Sequence, residues 1–467
     1  MIHSARILKS LALLGLVALA FGLLARCTPE YEVFTEDPNA PLLVSRDTVL
    51  FDTLFSTLGS TTRRLKLLNP NANAIAIDRI GLGGGSDSPF RLVVNGEPGI
   101  DFTDEVLLGG DSLLMLVEVT IDPQDQNLPF LVQDSIVVSW NGNEDQVKLL
   151  AWGQDAHFLG GVELFGEHTW SPGRPYVLYD IVLVDSFATL TIEPGTQIYS
   201  GTDAVLGIEG TLNVKGDSAN RVLFRHSRLQ SEFDDVAGQW GGIYFLQGST
   251  GNSIAYTDIW NAEYGVYVGT PDNDTLPDVT LAHTRIRNAS LSGLIAFTSD
   301  VYAYNCEISN CQQFVVGNLA GGSYRYDHCT FVNFDNFIRN YPAVLFADNV
   351  ILANDQILAE PLYVQMRNCI VWGSEEEELL LDNAAGQPFT VDTQHVIVRA
   401  LEGSLSTGTE IRYNEDPLFV DEFTMDLRIQ PFSPARDAGL DLGIGTDVLG
   451  GPRDAAPDMG AHEYRGG

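Results

Sequence analysis

The chain has 467 residues, enough for two or three domains, and carries 62 acidic against 26 basic side chains, a net charge of −36. Its only lysines are Lys9, Lys66, Lys148 and Lys215. No basic patch can neutralise a phosphate backbone, which argues against nucleic acid. Extended contact with anionic lipid headgroups is disfavoured for the same reason. The acidic surface then serves solubility, or its clustered carboxylates hold divalent cations.

The N-terminus has Arg6 and Lys9, then an apolar run over residues 11–25. The run is short for a membrane span and fits a secretory signal. It ends in Leu24-Ala25-Arg26-Cys27, which resembles the lipobox of bacterial lipoproteins, although Arg26 replaces the usual small residue. The resemblance implies a leader over residues 1–27 and acylation of Cys27. Residues 28–43, with Glu30, Glu32, Glu36 and Asp37 among three prolines, read as an acidic tether. Acidic residues just behind such a cysteine resemble surface-export signals of Bacteroidota lipoproteins. Together these imply an outer-membrane protein facing the cell exterior and held to the membrane only through its lipid.

Over residues 44–155, short strand-like segments (63–68, 74–80, 90–94, 113–121, 134–140 and 146–152) alternate with Gly, Asn and Pro. This spacing predicts an immunoglobulin-like β-sandwich, without a disulfide because the segment has no cysteine. It reads as a spacer.

Residues 254–373 repeat. The copies are Tyr256-Thr257-Asp258-Ile259-Trp260-Asn261, His283 to Asn288, Asn305 to Asn310, His328 to Asn333, Asn349 to Asn354, and a degraded Asn368 to Gly373. A period in the twenties with alternation inside each copy signals a solenoid of strands. Ile259, Ile286, Ile308, Phe331 and Leu352 are predicted to stack inward. Asn261, Asn288, Asn310, Asn333 and Asn354 are predicted to form a structural ladder of amides bonded along the axis. Leucine-rich and helical repeats do not fit. The pattern resembles right-handed parallel β-helix proteins of the pectate-lyase-like superfamily over residues 161–415, which implies a β-helix domain over residues 156–415. Ser433-Pro434-Ala435-Arg436-Asp437-Ala438-Gly439, Arg453 and Pro457 to Tyr464 resemble the C-terminal segment of the choice-of-anchor Q group. Residues 416–467 are therefore expected to cap the last coil. The fold class is all-β: a right-handed parallel β-helix preceded by an immunoglobulin-like sandwich.

Chemistry is sparse. Cys306, Cys329 and Cys369 share a column with Cys311 displaced, and no Cys/His metal spacing occurs. They are expected to be free and buried. Asp258, Arg285 and Glu307 fall in line across coils and suggest an ion-pair ladder. Arg285 and Arg287 could instead resemble the basic group of a polysaccharide lyase. Asp234-Asp235 is the only adjacent aspartate pair of the repeat region, and the superfamily's Gly-His-Gly motif is missing. Asp272-Asn273-Asp274 is the candidate calcium loop; no other cofactor is implied. Trp240, Tyr244, Trp260, Tyr264 and Tyr267 cluster near the first full coils and could stack on sugar rings. The reading is a monomeric surface lipoprotein that binds a glycan or a cell-surface protein. Its alternatives are a polysaccharide lyase or glycoside hydrolase, and a structural or adhesive envelope protein. Replacing Cys27 by Ala should release the protein from the membrane fraction; unchanged retention in fractionated cells would reject acylation.

Overall fold

The computed structural model describes residues 32–269, 276–334, 339–352 and 355–466. Cys27, the 272–274 loop and Asn354 lie outside them. The chain divides into two compact units, one ending at Asp122 but including Leu131–Gly153, the other made of Pro123–Phe130 and Gln154 onward.

The first unit holds two sheets. One is ordered Leu43–Val44, Arg63–Leu68, Ser112–Val119, Phe90–Val94, Glu97–Gly99; the other runs from Thr48–Phe55 through Asn143–Gln154, Phe130–Trp140 and Ile75–Leu82 to Asp101–Phe102. Neighbouring strands such as Arg63–Leu68 and Ser112–Val119 pair antiparallel. Leu65, Leu67, Met115 and Val117 point inward by simple alternation and are buried. This is the antiparallel two-sheet arrangement expected of a sandwich.

The second unit is a parallel β-helix. Among the described residues its 25 strands run from His157–Leu159 to Gly408–Tyr413 and stack as three faces. Face A includes Val222–His226, Thr257–Trp260, Arg285–Ala289, Glu307–Cys311 and Thr330–Asn333. Face B includes Trp240–Phe245 and Ala262–Val268, and face C Asn252–Ala255 and Val279–Ala282. Inside face A, Phe224, Ile259, Ile286, Ile308, Phe331, Val371 and Val398 stand in register. None of these seven is more than 1% exposed. Each such side chain contributes about 1.5–3 kcal/mol, so this stack is a principal source of stability.

The copy at 349–354 is not a coil. Asn349–Ile351 pairs antiparallel with Ile357–Ala359 as a hairpin, and Leu352 is exposed. The stack passes instead from Asn333 to Gly373. A side chain at 373 would collide with Glu378, whose carboxylate is bonded to the fully buried Arg339 (Nη2–Oε1 2.6 Å).

The asparagine column also differs from the expected ladder. Asn261, Asn288 and Asn310 have φ of 64, 57 and 54°, the left-handed region, where they turn the chain from face A into face B. Among the described residues no hydrogen bond joins one amide to the next. Asn261 donates to the carbonyls of Asp234 and Val236 (2.8 and 2.9 Å), and Asn333 to that of Cys311 (2.7 Å). Backbone conformation selects the residue type here, because Asn occupies the left-handed region more readily than residues with bulkier side chains.

A second left-handed column turns face C into face A: Tyr256, His283, Asn305, His328, Asn368 and His395, with φ between 44 and 54°. The next residue in each coil points inward. There Thr257, Thr284, Cys306, Cys329 and Cys369 donate to the carbonyl two residues back, at 2.9, 3.1, 3.4, 3.4 and 3.3 Å. The cysteines thus stand in for threonine. All four described cysteines are free and buried, and burial pushes the Cys311 thiol up to about 12.

The corner column also holds the C-terminal tail, which lies along the flank of the helix. His283 Nδ1 donates to Asp447 O (2.8 Å), Asn305 Nδ2 to Thr446 O (2.7 Å), Asn368 Nδ2 to Leu440 O (2.8 Å) and His395 Nδ1 to Ala438 O (2.7 Å). His328 accepts from Asn368 at Nε2 (2.8 Å), which leaves Nδ1–H to donate to Asp458 O (3.2 Å). The residues singled out in the tail build this clasp. Arg453 pairs with Glu463 (3.0 Å) and donates to Asn305 Oδ1 (2.9 Å), while Met459 and Ala435 pack on Val332, Ile370 and Ile397 of face A. The tail expected to cap the last coil runs along the apolar outer side of face A, and Arg412 of that coil donates to its Pro434 O (2.6 Å).

Two outcomes follow for stability. Asn310→Leu should cost about 1–2 kcal/mol, the strain of a bulky left-handed residue, and Asn310→Gly less, because glycine has no such strain. An amide ladder would make both variants comparably unstable in a denaturant melt. Burial, reinforced by Arg453, holds His328 down at about 2. Its unfolded form titrates near the ordinary value of about 6.5. The stability it contributes is therefore complete above pH 6.5 and is lost as pH falls below it. Burial and Arg225 hold His226 at about 4, with the same sign. His328→Asn, a residue the column already uses, should reduce the slope of stability against pH below 6.5 by up to about 1.4 kcal/mol per unit. An unchanged slope in melts from pH 6.5 to 4.5 would refute this assignment.

Candidate functional site

Face B carries an aromatic strip on its outer side. Tyr244 and Tyr267 are register partners on adjacent coils and stack at 5.0 Å with an interplanar angle of 18°. Tyr264 meets both edge-on, at 6.0 and 5.9 Å, and Phe297 extends the strip from Tyr267 at 5.4 Å. All four rings are half-buried. The bulge at Gly242 lets the coils close there, since its φ is 130° and a Cβ would lie 1.8 Å from Tyr264 O. None of the three tyrosine hydroxyls has a hydrogen-bond partner among the described residues. Burial, with neighbouring Tyr264 and Glu263, pushes Tyr244 up to about 12, and burial raises Tyr264 and Tyr267. The hydroxyls stay protonated and can donate.

The other aromatic candidates part from this strip. Trp240 is fully buried; it stacks inside the helix on Phe224 at 6.3 Å and donates its indole N–H to Trp260 O (2.8 Å). It is a core residue and not available to a ligand. Trp260 faces outward on face A, where Arg287 lies over its ring at 4.0 Å.

Face A brings the charged candidates together. Arg285 holds Asp258 with two bonds, Nε–Oδ1 at 2.7 Å and Nη2–Oδ2 at 2.8 Å, and Arg221 reaches the same carboxylate at 3.0 Å. Burial opposes ionisation of Asp258, but the two guanidiniums prevail and its pKa is lowered. The expected continuation from Arg285 to Glu307 is not made. Glu307 is bonded to His462 of the tail, Nε2–Oε2 2.6 Å. Asp234 is taken by Arg225 at 2.6 Å, so Asp234-Asp235 is not a free carboxylate pair. Among the described residues no group of three metal-ligating side chains could hold an ion.

The sequence reading missed Phe297 as a neighbour of the strip and His462 as the partner of Glu307. Phe297 lies in Ser292–Tyr304, one strand that bends from face B to face C, so alternation is lost across its middle. Glu307 and His462 meet only because the tail folds back across 155 residues.

No family model and no curated protein matches the chain. Some solved structures are similar at low scores. XylC, solved with xylose, is 10% identical over 94% of this chain and 91% of its own, with a TM-score of 0.30. A GH87 alpha-1,3-glucanase from Streptomyces thermodiastaticus strain HF3-3 is 10% identical over 75% and 87%, with a TM-score of 0.23. A family 123 glycoside hydrolase from Clostridium perfringens is 7% identical with a TM-score of 0.18; only 27% of this chain and 26% of that enzyme are covered. Likeness at this level carries no argument about activity.

Proposed function

We propose that the chain is a glycan-binding protein displayed on the cell surface by a lipid at Cys27. The observation that carries this reading is the strip of Tyr244, Tyr264, Tyr267 and Phe297. An aromatic patch that continues from coil to coil offers apolar surface to a sugar, and unbonded protonated hydroxyls offer donors to sugar oxygens. The strip has no arginine or lysine of its own, and the exposed Glu263 stands beside it. A neutral saccharide fits such a surface better than an acidic one.

The lyase alternative needs a guanidinium free to act as a base. Arg285 gives two of its N–H groups to Asp258, which supports the ion-pair reading of that column; Arg287 is unpaired but lies over the Trp260 ring, with no cation-holding group of carboxylates beside it among the described residues. On this reading the protein binds without cleaving.

A glycan array on the purified protein is expected to show binding to neutral oligosaccharides. Tyr267→Ala should weaken it by about tenfold, equivalent to about 1.4 kcal/mol, without changing the melting temperature appreciably. Undiminished binding in Tyr267→Ala and Tyr244→Ala would overturn the assignment of the site. Release of reducing or unsaturated sugar ends would overturn the claim that binding is not followed by cleavage.

A further inference from the structure

Two cavities, of about 270 and 580 Å³, lie between face A and the tail residues Thr424 and Met425, and Arg287 lines both. The other arginines lining these cavities have carboxylate partners, Arg285 with Asp258 and Arg428 with Asp426, and Arg225 nearby holds Asp234. Arg287 makes no ion pair and no hydrogen bond among the described residues. Its Nε is buried without an acceptor, and its guanidinium lies over the Trp260 ring.

Arg287 is not alone in lacking partners. The indole Nε1 of Trp260 and the amide Nδ2 of Asn288 are also buried without an acceptor. Each line one of the two cavities. Buried polar groups in native proteins seldom go unpaired, and each such loss costs about 1–3 kcal/mol. Two orphan donors beside a guanidinium whose own Nε is orphaned call for an acceptor that carries negative charge. Two further orphan atoms belong to lining residues, the acceptor Asn310 Oδ1 and the ring nitrogen Nδ1 of His462, whose Nε2 is bonded to Glu307.

Four carboxylates share the lining. Asp234, Glu307 and Asp426 are held by Arg225, His462 and Arg428. Asp235 is exposed and lies within electrostatic reach of Arg287, but no ion pair forms between them. It competes for the guanidinium and repels an incoming anion.

We propose that Arg287, with the N–H groups of Trp260 and Asn288, forms an oxyanion-binding site on face A. It is separate from the aromatic strip on face B. The oxyanion is either a free inorganic ion or a sulfate or carboxylate borne by a saccharide.

The test is a calorimetric titration of the purified full chain with sodium sulfate, sodium phosphate and a heparin-derived tetrasaccharide, ionic strength being held constant with sodium chloride. Saturable binding is expected for at least one. Arg287→Gln should weaken it at least tenfold, and Asp235→Asn should tighten it. Saturation by the tetrasaccharide alone assigns the oxyanion to a glycan; saturation by an inorganic ion assigns it to that ion. Tyr267→Ala should leave these constants unchanged, so failure of the neutral-glycan reading does not decide this one. The proposal is overturned if none of the three titrants saturates, or if Arg287→Gln binds as the wild type does; the cavities would then hold only water. Should Arg287→Gln fail to fold, unchanged or weaker binding in Asp235→Asn overturns it as well.

Discussion

The left-handed backbone at the corners is the constraint on which the coils depend. A chain that returns to the same face every twenty-odd residues must turn sharply, and at two of its corners the turn is made by one residue near φ +50°. An L-residue there crowds its Cβ against the backbone, and Asn and His tolerate this better than most. That requirement explains the recurrence of Asn288 and Asn310 at one corner and of His283, Asn305, His328 and His395 at the other. At the second corner the same residue types supply a side-chain N–H, and the tail's carbonyls accept it. One local requirement thus shapes the coil and also provides the rail along which residues 438–458 are fastened.

The fold was legible because its signal is periodic. Alternation within each copy placed Ile259, Ile286, Ile308 and Phe331 in the interior, where they lie. Periodicity misled at Asn349 to Asn354, since a hairpin strand alternates as a coil strand does. It gave the place of the Asn column but not its role, because an amide ladder and a left-handed corner call for the same residue at the same spacing. The tail's course was hidden for a different reason. Val332, Ile370 and Ile397 are apolar residues on the outer side of face A, where alternation alone expects polar ones. Their neighbours Phe331 and Val371 are apolar too, and such doubled runs indicate a strand covered on both sides.

The candidate site was legible only in part. Tyr244 and Tyr267 sit at outward positions of consecutive coils, and the alternation that fixes the core also fixes them. Trp240 occupies the inward parity of its strand, which composition alone could not reveal. The charged groups of face A were harder still. Arg285 and Arg287 are two residues apart on one strand, yet the first is bound by Asp258 and the second is unbound. Register decides this: the partner of Arg285 on the preceding coil is Asp258, while that of Arg287 is Trp260.

Register also bears on the large net charge. The arginines of the helix are mostly held by nearby carboxylates, so the excess acid is left facing water and repels anions over most of the surface. Under the tail the carboxylates still at least match the arginines in number, but all except Asp235 are held by partners of their own. Burial there weakens solvent screening, and Trp260 keeps Arg287 from finding a carboxylate of its own. A cation left in that position costs stability, and the four pairs around it show that the fold supplies partners readily elsewhere in the groove. The free guanidinium is therefore better explained by what it can bind than by what it contributes to the coil, while the uncovered aromatic face opposite in chemistry remains open to ligands without charge.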